Sequence, residues 1–189
     1  MPTNTTDDKS KRVNGINVDT LMETVNAVKN DPELGRCNFR ATNKWTGAAH
    51  NCTTVEGFHA AKQDIDHKQK FELHCDEPAM LAGADDGANP VEHLLNALAG
   101  CVTTSMVAHA AVRGIEIHEL ESELEGDIDL RGFLGLADVP KGYTAIRVKF
   151  KVKTDAQNIE KLRALASFSP VYNTLINGAK VDIQVEPKK

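Results

Sequence analysis

The group in this chain best placed to do chemistry is a cysteine set midway along a helical, mostly apolar stretch. Residues 89–114 read NPVEHLLNALAGCVTTSMVAHAAVRG, with Cys101 at the centre. A thiol becomes a nucleophile only as its thiolate, so such a cysteine is either inert packing or the seat of a redox reaction. Cys37, Cys52 and Cys75 read as packing. The four cysteines form no CxxC and show no metal-ligand spacing with the seven histidines, so neither a metal nor a cofactor is expected. A hairpin turn at Gly47-Ala48 sets Cys37 opposite Phe58 and Cys52 opposite Asn43, which argues against a disulfide between the two cysteines.

The element that must hold Cys101 is a long helix. Pro90 suits its first turn, and Arg113-Gly114 suits its end, with a cation near the last carbonyls and a glycine able to turn left-handed. About 22 residues span roughly 33 Å, the width of a small domain. Its apolar residues run almost all the way round, which predicts burial. Thr103, Thr104, Ser105 and His109 interrupt it, so the stretch is read as falling short of a membrane span. The residues within about 40° of Cys101 on a regular helix are Leu94, Ala97, Ser105, Ala108 and Val112, none ionisable. An activating charge must come from elsewhere, and Arg36, Arg40, Arg147 and His50 are the candidates.

The rest of the chain supplies the frame. With 189 residues, 41% of them apolar, it can bury one domain, taken as residues 13–189 after a disordered polar tail over 1–12. The net charge of −5 carries mixed signs, so neither nucleic acid nor a membrane is an expected partner, and the cytoplasm is the expected location. Residues 17–31 form an extra N-terminal helix capped by Asn17. Strands are expected at 37–45, 50–58, 69–77, 115–130, 143–153 and 180–186. A helix over 155–168 is capped by Asp155, with Ile159, Leu162, Leu165 and Ala166 inward, and a short helix runs from Ser169-Pro170 to Asn177-Gly178. The resulting class is α+β, with antiparallel sheets around the long helix. So apolar a helix needs more cover than one small sheet gives, which points to a second copy of the chain.

The run NPVEHLLNALAGC continuing to RGIEI, then EGDIDLRGFLG, then FSPVYNTLINGAKVDI, resembles the OsmC/Ohr family of osmotically inducible and organic-hydroperoxide-resistance proteins, over about Phe39 to Glu186. The resemblance implies an intertwined homodimer wrapped around buried central helices. It also implies a peroxidatic role for Cys101. In the family's peroxidases a second cysteine precedes a proline near the C-terminus; here Ser169 stands there, able to cap a helix but not to form a disulfide. Those members also carry a glutamate directly after the helix-starting proline, where this chain has Val91. Glu92 is next along, about half a turn out of phase with Cys101. The turn 45–50 lacks their arginine. The sequence thus resembles the single-cysteine branch. The expected function is reduction of a small organic hydroperoxide by Cys101, recycled by an external thiol reductant. The alternative is a non-catalytic dimeric module that binds a small apolar molecule.

Overall fold

A computed structural model describes residues 11–188; residues 1–10 of the expected tail lie outside the described residues. Arg12 already pairs in a small hairpin, β1 (Arg12–Val13) with β2 (Ile16–Asn17), closed by Asn14 and Gly15 at positive φ. Helix α1 (Val18–Asn30) follows, and the Asn17 side chain accepts the Thr20 N–H at 3.1 Å, as the cap reading predicts. The chain divides into two compact units, one up to Asn96 and one from Ala97 onward, the division falling within helix α2 (Pro90–Val112).

The first unit is built on an antiparallel sheet. Strands β3 (Asn38–Phe39) and β4 (Thr42–Gly47) share one edge of β5 (His50–Ala60), and β6 (Gln63–Cys75) pairs along the other. The register differs from the sequence reading by one place at Cys52, which faces Lys44, and by two at Phe58, which faces Phe39. The turn residues are Ala48-Ala49, with Ala48 itself at φ +45°. The first half of β6 is missing from the sequence reading because its turn, Ala61-Lys62, adopts positive φ at both positions without the Gly or Asn that normally announces it. A bulge between Val55 and Gly57 lets the strand pass close to β6; a Cβ on Gly57 would lie 2.6 Å from the Ile65 carbonyl oxygen.

The second unit packs a charged ribbon and two short helices on one face of α2. That helix ends as its sequence suggests: Gly114 has φ +67°, and the Gly114 and Ile115 N–H groups donate back to the Ala111 and Ala110 carbonyls at 3.0 Å each. Within the chain α2 is buried along one face, through Leu98, Val102, Met106, Ala110 and Ala111, while Ala97, Gly100 and Thr104 are exposed. At 23 residues, α2 is long and apolar enough by length and composition to cross a membrane, which corrects the reading that it falls short. Its polar residues are too few to lower its average below that range. Its buried face is nevertheless part of this unit's core.

Strands β7 (Glu119–Asp127) and β8 (Ala145–Lys153) form the ribbon. Leu120, Leu124, Ile146, Phe150 and Val152 pack on the core. The opposite face pairs an acidic strand with a basic one: Lys153 with Glu119, Lys151 with Glu123, Arg147 with Glu125 and Asp127. The inward phase shifts after Ile117, because the chain bends at His118 and the strand starts only at Glu119. Helix α3 (Leu130–Phe133) follows between the two strands, with Asp129 accepting the Arg131 N–H.

The expected helix over 155–168 is segmented, a regular α4 (Ile159–Leu165) flanked by 3₁₀ turns. Asp155 makes no capping bond, and Ile159 is 42% exposed where an inward position was expected, because the turn ahead of it rotates the helix start. Leu162 and Leu165 are core residues. Helix α5 (Pro170–Asn177) starts and stops as read. Residues 178–188 form no strand, against the expectation for 180–186, since a strand needs a neighbour's backbone and no described residue supplies it. Val181, Ile183 and Val185 therefore stand exposed.

Candidate functional site

Cys101 is half-buried and free, on the border between the buried face of α2 and the exposed strip of Ala97, Gly100 and Thr104. Helical geometry sets it about 60° from Leu98 and about 40° from Ala97. Within the second unit, no described residue places a hydrogen bond or an ion pair on its sulfur; the Thr104 hydroxyl is directed at backbone, donating to the Gly100 carbonyl at 2.9 Å and the Cys101 carbonyl at 3.2 Å. Beside this border lies an apolar cavity of about 440 Å³, lined by Leu98, Val102, Met106, Phe150 and Leu162, with Lys149 and Arg163 also on its wall.

About two turns from Cys101 towards the C-terminus of α2, His109 is half-buried. Its ring stacks on Phe168 with centroids 4.0 Å apart, and Arg113 lies over the same Phe168 ring. Burial first, and the Arg113 guanidinium second, push the imidazole below its ordinary pKa, so it is neutral at pH 7. Arg113 donates to the His109 carbonyl at 2.9 Å and approaches Nδ1 at 3.2 Å, which makes Nδ1 the acceptor and leaves the proton on Nε2.

Ser169 is fully buried and acts as the cap of α5, its hydroxyl accepting the Tyr172 N–H at 3.2 Å. Its carbonyl accepts from the Asn173 side chain at 2.8 Å. Glu92 works at the start of α2: its carboxylate accepts the Asn89 N–H and the Asn89 side chain accepts the Glu92 N–H, both at 2.9 Å. This reciprocal pair is a capping box, written in the sequence as N-x-x-E. The candidate activators are each engaged. Arg36 pairs with Glu33, Arg40 with Asp64 at 2.6 Å, and Arg147 with Asp127 and Glu125 at 2.5 Å each. His50 Nδ1 meets the Thr46 hydroxyl at 2.5 Å.

Sequence reasoning missed Asp76, only 2% exposed. Its carboxylate gathers the loop that leads to α2, accepting from the backbone N–H of Glu77 at 2.9 Å, Ala84 at 3.0 Å and Asp86 at 3.2 Å. The Glu77 bond first, and the other two N–H donors with it, hold this carboxyl below its ordinary pKa. An acid followed by proline and a glycine-rich loop was the available signal. The folded pKa being depressed, the stabilisation is complete at neutral pH and is lost as pH falls below about 4. Asp76→Asn, with one acceptor oxygen instead of two, is expected to lower the urea midpoint at pH 7. The gap to wild type should close as the pH is taken below 4; a constant gap would mean the charge plays no part.

Among the described residues, the side chains grouped closely enough to hold a metal ion are Cys52, Glu72 and His74 in the first unit, brought together by strand register and not by sequence spacing.

A profile of the family described as OsmC-like protein matches residues 83–184. No curated protein sequence matches the chain. The solved structure of an OsmC like protein from Mycoplasma pneumoniae is similar at 17% identity and a TM-score of 0.57, over 75% of this chain and 89% of that one. A structure from Psychrobacter arcticus, named for an osmotic stress induced and detoxification response, is similar at 16% identity and a TM-score of 0.54, over 71% and 85%. A hypothetical protein from Aquifex aeolicus is similar at 14% identity and a TM-score of 0.50, over 74% and 88%. The likeness is one of fold: antiparallel sheets and helices in a mixed α+β arrangement.

Proposed function

Because this chain belongs to the OsmC-like protein family, we propose that it is a redox protein of the single-cysteine kind, which reduces small organic hydroperoxides through Cys101. The carrying observation is the position of that thiol: half-buried and free midway along α2, next to Val102, which lines the apolar cavity. In the reaction, the Cys101 thiolate attacks the distal peroxide oxygen, the O–O bond breaks, and the alkoxide leaves and takes up a proton as the alcohol. The sulfur is left as a sulfenic acid. With Ser169 as the α5 cap, no internal thiol stands at that position to resolve it. One external thiol displaces water to give a mixed disulfide, and a second releases Cys101 and leaves as the oxidised disulfide. The apolar wall favours alkyl peroxides over hydrogen peroxide. The test is consumption of cumene hydroperoxide by the full chain with low-molecular-weight thiols supplied; no turnover with any of them removes the catalytic reading.

The second reading, a non-catalytic binder of a small apolar molecule, is favoured by one observation: Cys101 itself is not on the cavity wall. Alkylation rate against pH separates the two. An apparent thiol pKa near 8.5 without turnover supports the binder, and a depressed one supports the enzyme.

The working form is proposed to be a homodimer, acting in the cytoplasm. Val181, Ile183 and Val185 alternate as a strand's inner face does, yet are 77%, 81% and 91% exposed, and the exposed strip of α2 around Gly100 is smooth enough for a helix to approach closely. Light scattering on the full chain is expected to give twice the chain mass, and Ile183→Lys is expected to shift it to the monomer. A wild-type monomer at micromolar concentration overturns this assembly.

A further inference from the structure

The β5–β6 hairpin carries a cluster that the thiol chemistry of α2 does not use. Cys52 and His74 are direct cross-strand partners, and Glu72 lies two residues before His74, so all three side chains leave the same face of the sheet. Their ligand atoms lie within 4.8 Å of one another, with Cys52 Sγ 4.0 Å from His74 Nε2. We propose that this triad is a zinc site, with Cys52 Sγ, His74 Nε2 and a Glu72 carboxylate oxygen as ligands and the fourth tetrahedral position open to water or a small anion.

The spacing argument is geometric. Zinc bonds of about 2.3 Å to sulfur and about 2.0 Å to nitrogen, at the tetrahedral angle, put the two ligand atoms about 3.5 Å apart. The observed 4.0 Å closes with a small rotation of the half-buried Cys52 side chain towards the His74 ring. The donor set suits the ion as well: one thiolate, one imidazole and one carboxylate are the borderline mixture that zinc accepts and that calcium or magnesium does not.

The neighbours hold the triad ready. The His50 ring stacks on His74 with centroids 5.6 Å apart, and His93 Nε2 meets the His74 carbonyl oxygen at 3.1 Å. These contacts fix the residue's ring and its backbone. The Lys70 ammonium, 2.8 Å from Glu72, keeps that carboxyl ionised, and Lys44 lies opposite Cys52 on β4. Both lysines are exposed, so Lys70 can release one oxygen to a metal at little cost. On binding, Cys52 forms its bond to the metal as the thiolate and gives its proton to the buffer.

The test uses the full chain, reduced with a non-chelating phosphine, and Co²⁺ as the spectroscopic probe. Wild type is expected to take up one Co²⁺ with a thiolate-to-cobalt charge-transfer band, which Zn²⁺ then abolishes by displacement. Cys52→Ser should remove the band, while Cys37→Ser and Cys101→Ser keep it. His74→Ala should weaken Co²⁺ uptake at least tenfold with Cys52 still present, which reads the site even if the serine variant folds poorly. A wild-type protein without the band overturns the proposal, as does a band that survives Cys52→Ser or disappears with Cys101→Ser. None of these readouts depends on peroxide turnover, so the hydroperoxide reading can fail while this one stands.

Discussion

Cys101→Ser is expected to bring hydroperoxide consumption down to the rate of buffer and thiol alone. The oxygen of serine is not ionised near neutral pH, so it cannot make the attack on the O–O bond that a thiolate makes. The substitution is close to isosteric at a half-buried position whose sulfur accepts no hydrogen bond from the described residues of its own unit, so the melting temperature should hardly move. Loss of activity without loss of stability would then isolate the chemistry. Neutral His109, about two turns away, adds no positive charge at pH 7. The wild-type rate should therefore climb with pH towards the thiol pKa instead of passing through a histidine titration. Substituting Cys37, Cys52 or Cys75 should leave turnover in place. A Cys101→Ser protein that works as fast as wild type would move the reaction to another thiol or dismiss it. A variant that merely unfolds would show itself in the melt, and Cys101→Ala would then give the same readout with no hydroxyl to bury.

What the sequence made legible was periodic or punctuated. Helix α2 could be read to within a residue because Pro90 opens it, Gly114 closes it and apolar residues fill it. The Asn17 and Ser169 caps were visible for the same reason, since short polar side chains ahead of helical runs have one common use. The Ala61-Lys62 turn was invisible: two ordinary residues take positive φ there, and only the pairing of β5 with β6 on both sides forces them to. With that turn hidden, the register was hidden, and with it the meeting of Cys52, Glu72 and His74. Asp76 was hidden differently. A buried carboxylate that satisfies three backbone donors is a tertiary feature, and the acid ahead of a proline and a glycine-rich loop signals a turn without telling that the acid is buried. The segment 180–186 has the alternation of a strand, but alternation states a preference for a sheet face and cannot supply the partner that completes it.

Leu162→Ala is expected to be the most destabilising single change in the second unit, at about 3 kcal/mol, lowering the melting temperature by ~6–12 °C. Leu162 is 1% exposed and sits in the cluster with Leu98, Val102, Met106, Ala110, Ile115 and Leu165. Removing its branched end forfeits both the transfer free energy of those carbons and their contacts. How far the structure can relax decides where the cost falls within the usual 2–5 kcal/mol for such truncations. Here the site cannot collapse easily, because α2 on one side is a rigid helix and the β7–β8 ribbon on the other is tied by its ladder of ion pairs. Yet Leu162 also lines the existing cavity of about 440 Å³, so its loss enlarges a space already open instead of sealing a new void, which argues against the upper end of the range. Ile159→Ala, three residues earlier and 42% exposed, is the matched control and should cost less than about 1 kcal/mol. Equal urea midpoints for the two variants would mean that the cluster is not the stabilising core of this unit. A larger loss at Leu162 with an unchanged slope would show that the core was thinned while the cooperative unit stayed whole.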